Sequence, residues 1–279
     1  MSKSVDLVLN CYEKTYKKLL RQEYINSIVV QNSFEFTNVI VIVSNVDDRG
    51  VLEEILSNLQ SSNTITKYYF VDDYLNETLK KLGISMESLG KIKHYSTWAF
   101  VMAEVVKSEF FVHWDTDISL SQSVDWITPS IKLFDKVSNL FITNPNWDNQ
   151  EDQVKAESCE SDDDFYYGYG ISDQLFMGKS GDFKGSIYNE KHIYSLRYPM
   201  SHIAPIYEMR IDSYMRNHKK IRATYRGVSY HHPLEKTAIY PKGSIWEYVV
   251  LKKVYRNIIK VYKKFITPCD GFEKVQNED

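Results

Sequence analysis

The run Asn38–Val46 (NVIVIVSNV) constrains this chain more than any other feature. It is β-branched and apolar at alternate and intervening positions alike. As a strand it must therefore be covered on both faces, which is the situation of a central strand in a parallel sheet. It closes on Asp47-Asp48, and Val51, Leu52, Ile55 and Leu59 then fall at helical spacing over Arg49–Leu59. The pattern recurs. Val5–Leu9 reads as a short first strand ahead of a helical stretch around Thr15–Gln22. Lys67–Val71 reads as a strand ending in Asp72-Asp73, followed by a helix over Leu75–Leu82 that Gly83 stops. Lys91–Lys107 reads as one longer helix, apolar at Trp98, Val101, Met102 and Val105, leading into a strand at Phe110–Trp114. Such repetition predicts an α/β chain with a central, mostly parallel sheet.

Helix Trp126–Val137 and strand Asn139–Thr143 continue the alternation. Asn144–Gly170 interrupts it. That stretch is polar, contains the acidic run Glu157–Asp164, and reads as a long loop, either functional or simply solvated. Beyond it lie Ser172–Met177, read as the opening of a helix, then a helix near Ile206–Asn217 and a strand near Ile221–Tyr230. A basic amphipathic helix over Ser244–Phe265 forms a C-terminal extension. The expected organisation is one domain over 1–240, with halves of about 1–118 and 119–240, and a helix and tail over 241–279.

At 279 residues the chain is long enough for a sizeable core. A net charge of −3 argues against a dedicated nucleic-acid binder. Cys11, Cys159 and Cys269 are few, odd in number and far apart, which suggests a reducing compartment and no metal cluster. Residues 1–10 are too short and polar for a signal peptide, and no stretch has the length of a membrane span. The expectation is a cytoplasmic protein.

The chemistry points to Phe110–Asp117. The apolar strand ends abruptly in two carboxylates spaced i, i+2. In an extended chain Asp115 and Asp117 share one face at its C-terminal edge. Open α/β sheets bind ligands beyond the carboxyl ends of their strands. Two carboxylates there suit Mn²⁺ or Mg²⁺, which take one or two protein carboxylates together with substrate phosphates. Solvated aspartates opening a turn are the alternative.

Four features together resemble the GT-A-type glycosyltransferases, the nucleotide-sugar-dependent fold that includes the family 2-like enzymes. They are an opening strand ending in Asn10 and a tyrosine, an apolar second strand ending in acids, the segment KIKHYSTWAFVMAEVVKSEFFVHWDTD, and the downstream GYGISDQLFMGKSGDF. They span residues 5 to 232. Trp114 and Thr116 depart from the small residues usual around the D-x-D, and the first strand is short. The resemblance implies a Rossmann-type, GT-A-like domain and metal-dependent sugar transfer from a nucleotide sugar, a UDP-sugar in first place, to a glycan, lipid-linked or small hydroxyl acceptor.

Residue by residue, the resemblance implies Asp117 as direct metal ligand and Asp115 toward ribose and metal. It implies Asp173 as the carboxylate facing the acceptor, with capping of a following helix as the other reading. Asp162, Asp163 and Asp164 stand behind it as bases. A C-terminal histidine often supplies a third ligand. His231 and His232 would face opposite ways in a strand, and His231 is preferred, since His232 precedes Pro233 and is held extended. Asn10, Asp47, Asp48 and Lys93 take positions near the nucleotide, with a turn or helix-cap role open for one of the aspartates. Tyr167 and Tyr169, within Tyr166–Gly170, form either an aromatic wall for an acceptor sugar or a packed loop anchor. The terminal helix over 244–265 reads as packing on its own domain or on a second copy, or as resting on an anionic membrane surface.

Two other classes compete. A sugar nucleotidyltransferase would need a glycine-rich basic loop that residues 5–20 lack. A carbohydrate-binding protein on a degenerate transferase scaffold would keep the aromatic wall without needing the carboxylates.

Overall fold

A computed structural model describes residues 3–148, 150–232, 245–262 and 267–276. Among these the strands form one ten-stranded sheet. In chain order they are β1 (Val5–Tyr12), β2 (Asn38–Ser44), β3 (Lys67–Phe70), β4 (Phe110–Asp115), β5 (Ser119–Leu120), β6 (Leu140–Trp147), β7 (Glu160–Ser161), β8 (Phe165–Gly168), β9 (Leu175–Lys179) and β10 (Ile221–His231). The order across the sheet is β3-β2-β1-β4-β9-β6-β10-β8-β7, with β5 paired to β10. β1 is parallel to β2 and β4, β2 to β3, and β6 to β10. β9 is antiparallel to both its neighbours, so β6 and β10 run with the N-terminal strands. The result is an α/β architecture around a central, mostly parallel sheet.

The period of two explains why these strands are central. Leu7, Leu9 and Cys11 of β1 and Val41 and Val43 of β2 are buried on one face. Val8, Ile40 and Ile42 are buried on the other. One face is covered by Ile25, Ile28, Leu52 and Leu56, and the other by Leu75, Leu79 and the helix Thr97–Val105. Each such aliphatic side chain contributes about 1.5–3 kcal/mol on burial.

Several expectations give way to tertiary structure. The helix expected over Lys91–Lys107 is two pieces, a 3₁₀ stretch Met86–Tyr95 and the α-helix Thr97–Val105. Gly90, at φ 58° and ψ −152°, and Ile92 leave the helical region within the 3₁₀ stretch. A helix Gln22–Gln31 follows the short turn Tyr16–Leu19. Helix Val71–Leu82 starts directly after β3, so Asp72 and Asp73 occupy its first turn, where the helix dipole favours acids. Asn144–Gly170 is no long loop. It carries the end of β6, a helix Glu151–Glu157, β7 and β8. Leu175, Phe176 and Met177 form a strand rather than a helix, because both faces are buried between β4 and β6.

The reading of the cysteines as a sign of a reducing compartment is also corrected. Cys159 and Cys269 form a disulfide across 110 positions of chain, and Cys11 is free and buried. Disulfides persist in oxidising compartments, so the cysteine count no longer supports a reducing one. Of the expected C-terminal helix, Ile245–Tyr262 is described; Ser244, Lys263, Lys264 and Phe265, and the domain boundary near 240, lie outside the described residues. Leu251, Tyr255 and Ile259 are half-buried on one side of it, while Val250, Val254 and Ile258 are exposed. Among the described residues no helix is long and apolar enough to cross a membrane.

Candidate active site

Parallel β1 and β4 place Asn10 opposite Asp115 at their C-terminal ends. Here β4 stops, and Thr116 and Asp117 form a turn. The turn is pinned twice. The Thr116 amide donates to Asp115 Oδ1 at 2.8 Å, and the Tyr24 hydroxyl donates to the Thr116 carbonyl. The two carboxylates therefore meet through a tight turn rather than along one strand face. β10 arrives alongside, and His232, just past its end, stands with its Nε2 3.4 Å from Asp117 Oδ1. One ligand atom from each of Asp115, Asp117 and His232 lies within 4.8 Å of the others.

His231 does not join them. It is 69% exposed and pairs through Nδ1 with Asp148 at 2.9 Å. Adjacent residues in extended chain face opposite ways, and the His232 amide bond to Asp148 Oδ1 at 3.0 Å fixes which way each turns. Pro233 lies outside the described residues.

Asp115, Asp117 and His232 line a cleft of about 430 Å³. Asn10, Tyr12, Lys14 and Lys18 come from β1 and the turn after it; His94, Tyr95 and Trp98 come from the kinked segment before β4. Asp173 and Gln174 close the far side. The Asn10 side-chain oxygen is buried without a hydrogen-bond partner, and Asp117 Oδ1 is buried with only the His232 imidazole beside it. Asp173 precedes β9, not a helix, so the helix-cap role does not arise. Its carboxyl hydrogen-bonds Glu208, in the first turn of helix Tyr207–Asn217. Sequence reading missed Glu208, because nothing local links it to Asp173.

Other expected residues lie elsewhere. Asp47 and Asp48 are exposed, and Asp48 caps helix Arg49–Ser61 by accepting from the Val51 amide at 3.3 Å. Lys93 is exposed, and its neighbours His94 and Tyr95 face the cleft instead. The Tyr167 hydroxyl donates to Asp162 at 2.6 Å and the Tyr169 hydroxyl to the Gly271 carbonyl at 2.8 Å. Both rings belong to the buried core, so they hold β8 and the residues after it in place and form no wall of the cleft. Asp162, Asp163 and Asp164 also stay out of the cleft.

The electrostatics suit a cation. Burial, reinforced by Asp117 and Asp173, pushes the Asp115 carboxyl up to about 8. Burial also raises Asp173 to about 6, against the lowering influence of His232 and the Glu208 hydrogen bond. Carboxylates gathered this closely hold one another protonated unless a positive charge joins them. Ligand atoms on opposite sides of one such cation sit roughly 4.2 Å apart, twice a metal–oxygen distance of about 2.1 Å. The ligand atoms of Asp115, Asp117 and His232, within 4.8 Å of one another, are near that spacing, and two oxygens and one imidazole nitrogen are a donor set compatible with Mn²⁺.

No family model and no curated protein matches the chain. Solved structures do. A mannosyltransferase from Pyrobaculum calidifontis in complex with GDP-Man and Mn²⁺ is similar at TM-score 0.49 and 11% identity, covering 96% of this chain and 66% of that one. GalNAc-T7 with UDP, GalNAc and Mn²⁺ is similar at TM-score 0.47 and 11% identity, covering 95% of this chain and 57% of that one. TarS from S. aureus in complex with UDP-GlcNAc is similar at TM-score 0.47 and 11% identity, covering 91% and 66%. This chain thus spans between 57% and 66% of their lengths. Such similarity concerns backbone arrangement and assigns no residue a role.

Proposed function

We propose that this protein transfers a sugar from a nucleotide-sugar donor to a hydroxyl acceptor, with Asp115, Asp117 and His232 holding Mn²⁺ or Mg²⁺. The observation that carries the reading is the convergence of those three ligands at the C-terminal ends of β1 and β4, inside a cleft large enough for a nucleotide. When bound, the cation supplies Lewis-acid stabilisation to the charge that develops on the departing diphosphate.

The chain's own residues do the rest. Lys14 and Lys18 place positive charge along the cleft where phosphates enter. Tyr12, Tyr95 and Trp98 offer flat apolar surface to a base and ribose, and Asn10 brings an unpartnered side-chain oxygen to the same side. Asp173 takes the proton of the acceptor hydroxyl. That oxygen bonds to the anomeric carbon, whose bond to the diphosphate breaks with the electron pair leaving on phosphate. An acid at about 6 is largely ionised at neutral pH yet remains a useful base. Glu208 orients it through their shared hydrogen bond.

Thermal shifts with UDP-, GDP-, CMP- and dTDP-sugars, each in Mn²⁺ and in EDTA, test the reading. One nucleotide family should raise the midpoint in Mn²⁺ only. Asp117→Asn should fold normally, lose that shift and lose transfer. Normal turnover by Asp117→Asn removes the proposal.

A further inference from the structure

A second pocket, of about 300 Å³, opens on the other side of Ser172–Gln174. Gln174 lines both pockets, and Glu208 in the second bonds Asp173 in the first. Two arginines occupy this second pocket with few partners. Arg222, on β10, is 4% exposed, and its guanidinium lies 5.4 Å from the centre of the Trp147 ring. Its Nε is buried without a partner. Arg197, at the end of the 3₁₀ turn Ile193–Arg197, also has a buried Nε without a partner.

Arg197 is partly served, its Nη2 donating to the Tyr198 hydroxyl at 3.4 Å and its guanidinium forming long ion pairs with two acids, whereas among the described residues no ion pair reaches Arg222. Glu157 and Asp212 stand 3.8 Å from Arg197, beyond hydrogen-bond distance. Asp212 is already engaged by Arg216 at 3.1 Å and by Ser195 at 2.6 Å. Glu208 is engaged with Asp173. Gly170 lets the two guanidiniums approach one another. At φ +101° it has no Cβ, and one built there would lie 2.5 Å from Arg197 Nη2 and 3.4 Å from Arg222 Nη1. Arg222, buried beside a second guanidinium and with no acceptor for its Nε, is costly to keep charged unless a counter-charge joins it. Two forked guanidiniums match the oxygens of a phosphate or carboxylate. Trp147 and Tyr198 beside them supply ring faces of the kind sugars pack against.

We propose that this pocket is the acceptor subsite, and that the acceptor carries an anionic group, phosphate or carboxylate, which Arg197 and Arg222 bind while a nearby hydroxyl faces Asp173. The proposal rests on the transferase reading for the hydroxyl and on the two arginines for the anion.

The test is thermal shift of the full chain at constant ionic strength, with sn-glycerol 3-phosphate, glucuronate and, as neutral control, glucose. At roughly five times its dissociation constant an anionic probe should raise the midpoint by about 2–4 °C. Glucose should not. Arg222→Gln should lose the shift with its own midpoint unchanged or raised, since a buried unpaired charge is gone. Arg197→Gln, at a partly exposed side chain, serves the same purpose should Arg222→Gln not fold. Asp117→Asn should keep the anion shift while losing the nucleotide shift. The larger response, to phosphate or to carboxylate, identifies the group. No shift with either anion in folded wild-type protein, or a shift that persists in both arginine variants, overturns the proposal. Anion shifts without any nucleotide-sugar shift would instead leave the anion site standing and remove the transferase reading.

Discussion

The imidazole of His232 stands 3.4 Å from the Asp117 carboxylate, while the adjacent His231 turns away to Asp148 at 2.9 Å. His232→Ala should therefore weaken Mn²⁺ binding by at least about tenfold, since even indirect ligand contacts are worth that much. His231→Ala should leave it unchanged. Calorimetric titration of both variants with Mn²⁺ checks this, and equal losses would mean that β10 as a whole, not one imidazole, supports the site.

Asp173, the proposed base, is raised to about 6 chiefly by burial. As a base it acts only when ionised, so kcat should fall about tenfold per pH unit below about 6 and level off above it. Asp173→Asn should lower kcat by roughly 10²–10⁴ while donor affinity stays the same. Parallel losses in turnover and donor affinity would indicate a structural role.

Stability should also follow Asp115 when the metal is removed. Its carboxyl is raised from 3.8 to about 8 in the folded chain, so the native state holds that proton more tightly than the unfolded one. This contribution is fully present below about pH 4 and is lost as pH rises through about 8. Melting in EDTA should therefore weaken over that window, and Mn²⁺ should flatten the dependence by favouring the ionised form. Identical curves with and without Mn²⁺ would show that the carboxylate is not a ligand.

The Cys159–Cys269 disulfide ties the tail to the start of β7 across 110 positions. Closing so long a loop lowers the entropy of the unfolded chain, so Cys269→Ser should reduce stability by about 2–4 kcal/mol. Reductant should have the same effect on the wild-type protein and none on the variant. Cys11 should not contribute, because burial pushes its thiol up to about 12 and keeps it unreactive. Denaturant unfolding with and without reductant measures all three.

The N-terminal half was readable because its signals are local. The continuous burial of β1 and β2, the apolar run of β4 and the carboxylates at its end are written within a few residues of one another. Errors arose where neighbours distant in sequence decided. Leu175–Met177 looks helical alone and becomes β9 because β4 and β6 flank it. Tyr167 and Tyr169 look like a ligand wall and are instead held by Asp162 and Gly271. Asp48 looks like a nucleotide contact and caps its own helix.

From sequence alone came the α/β class, the parallel strands and the position of Asp115 and Asp117, since residue periodicity and the end of an apolar run are properties of short segments. Tertiary structure alone chose His232 over His231, paired Glu208 with Asp173, joined Cys159 to Cys269 and brought Arg197 beside Arg222. Each of these is a contact through space between segments whose approach depends on the packing of the whole sheet, and no local spacing encodes it.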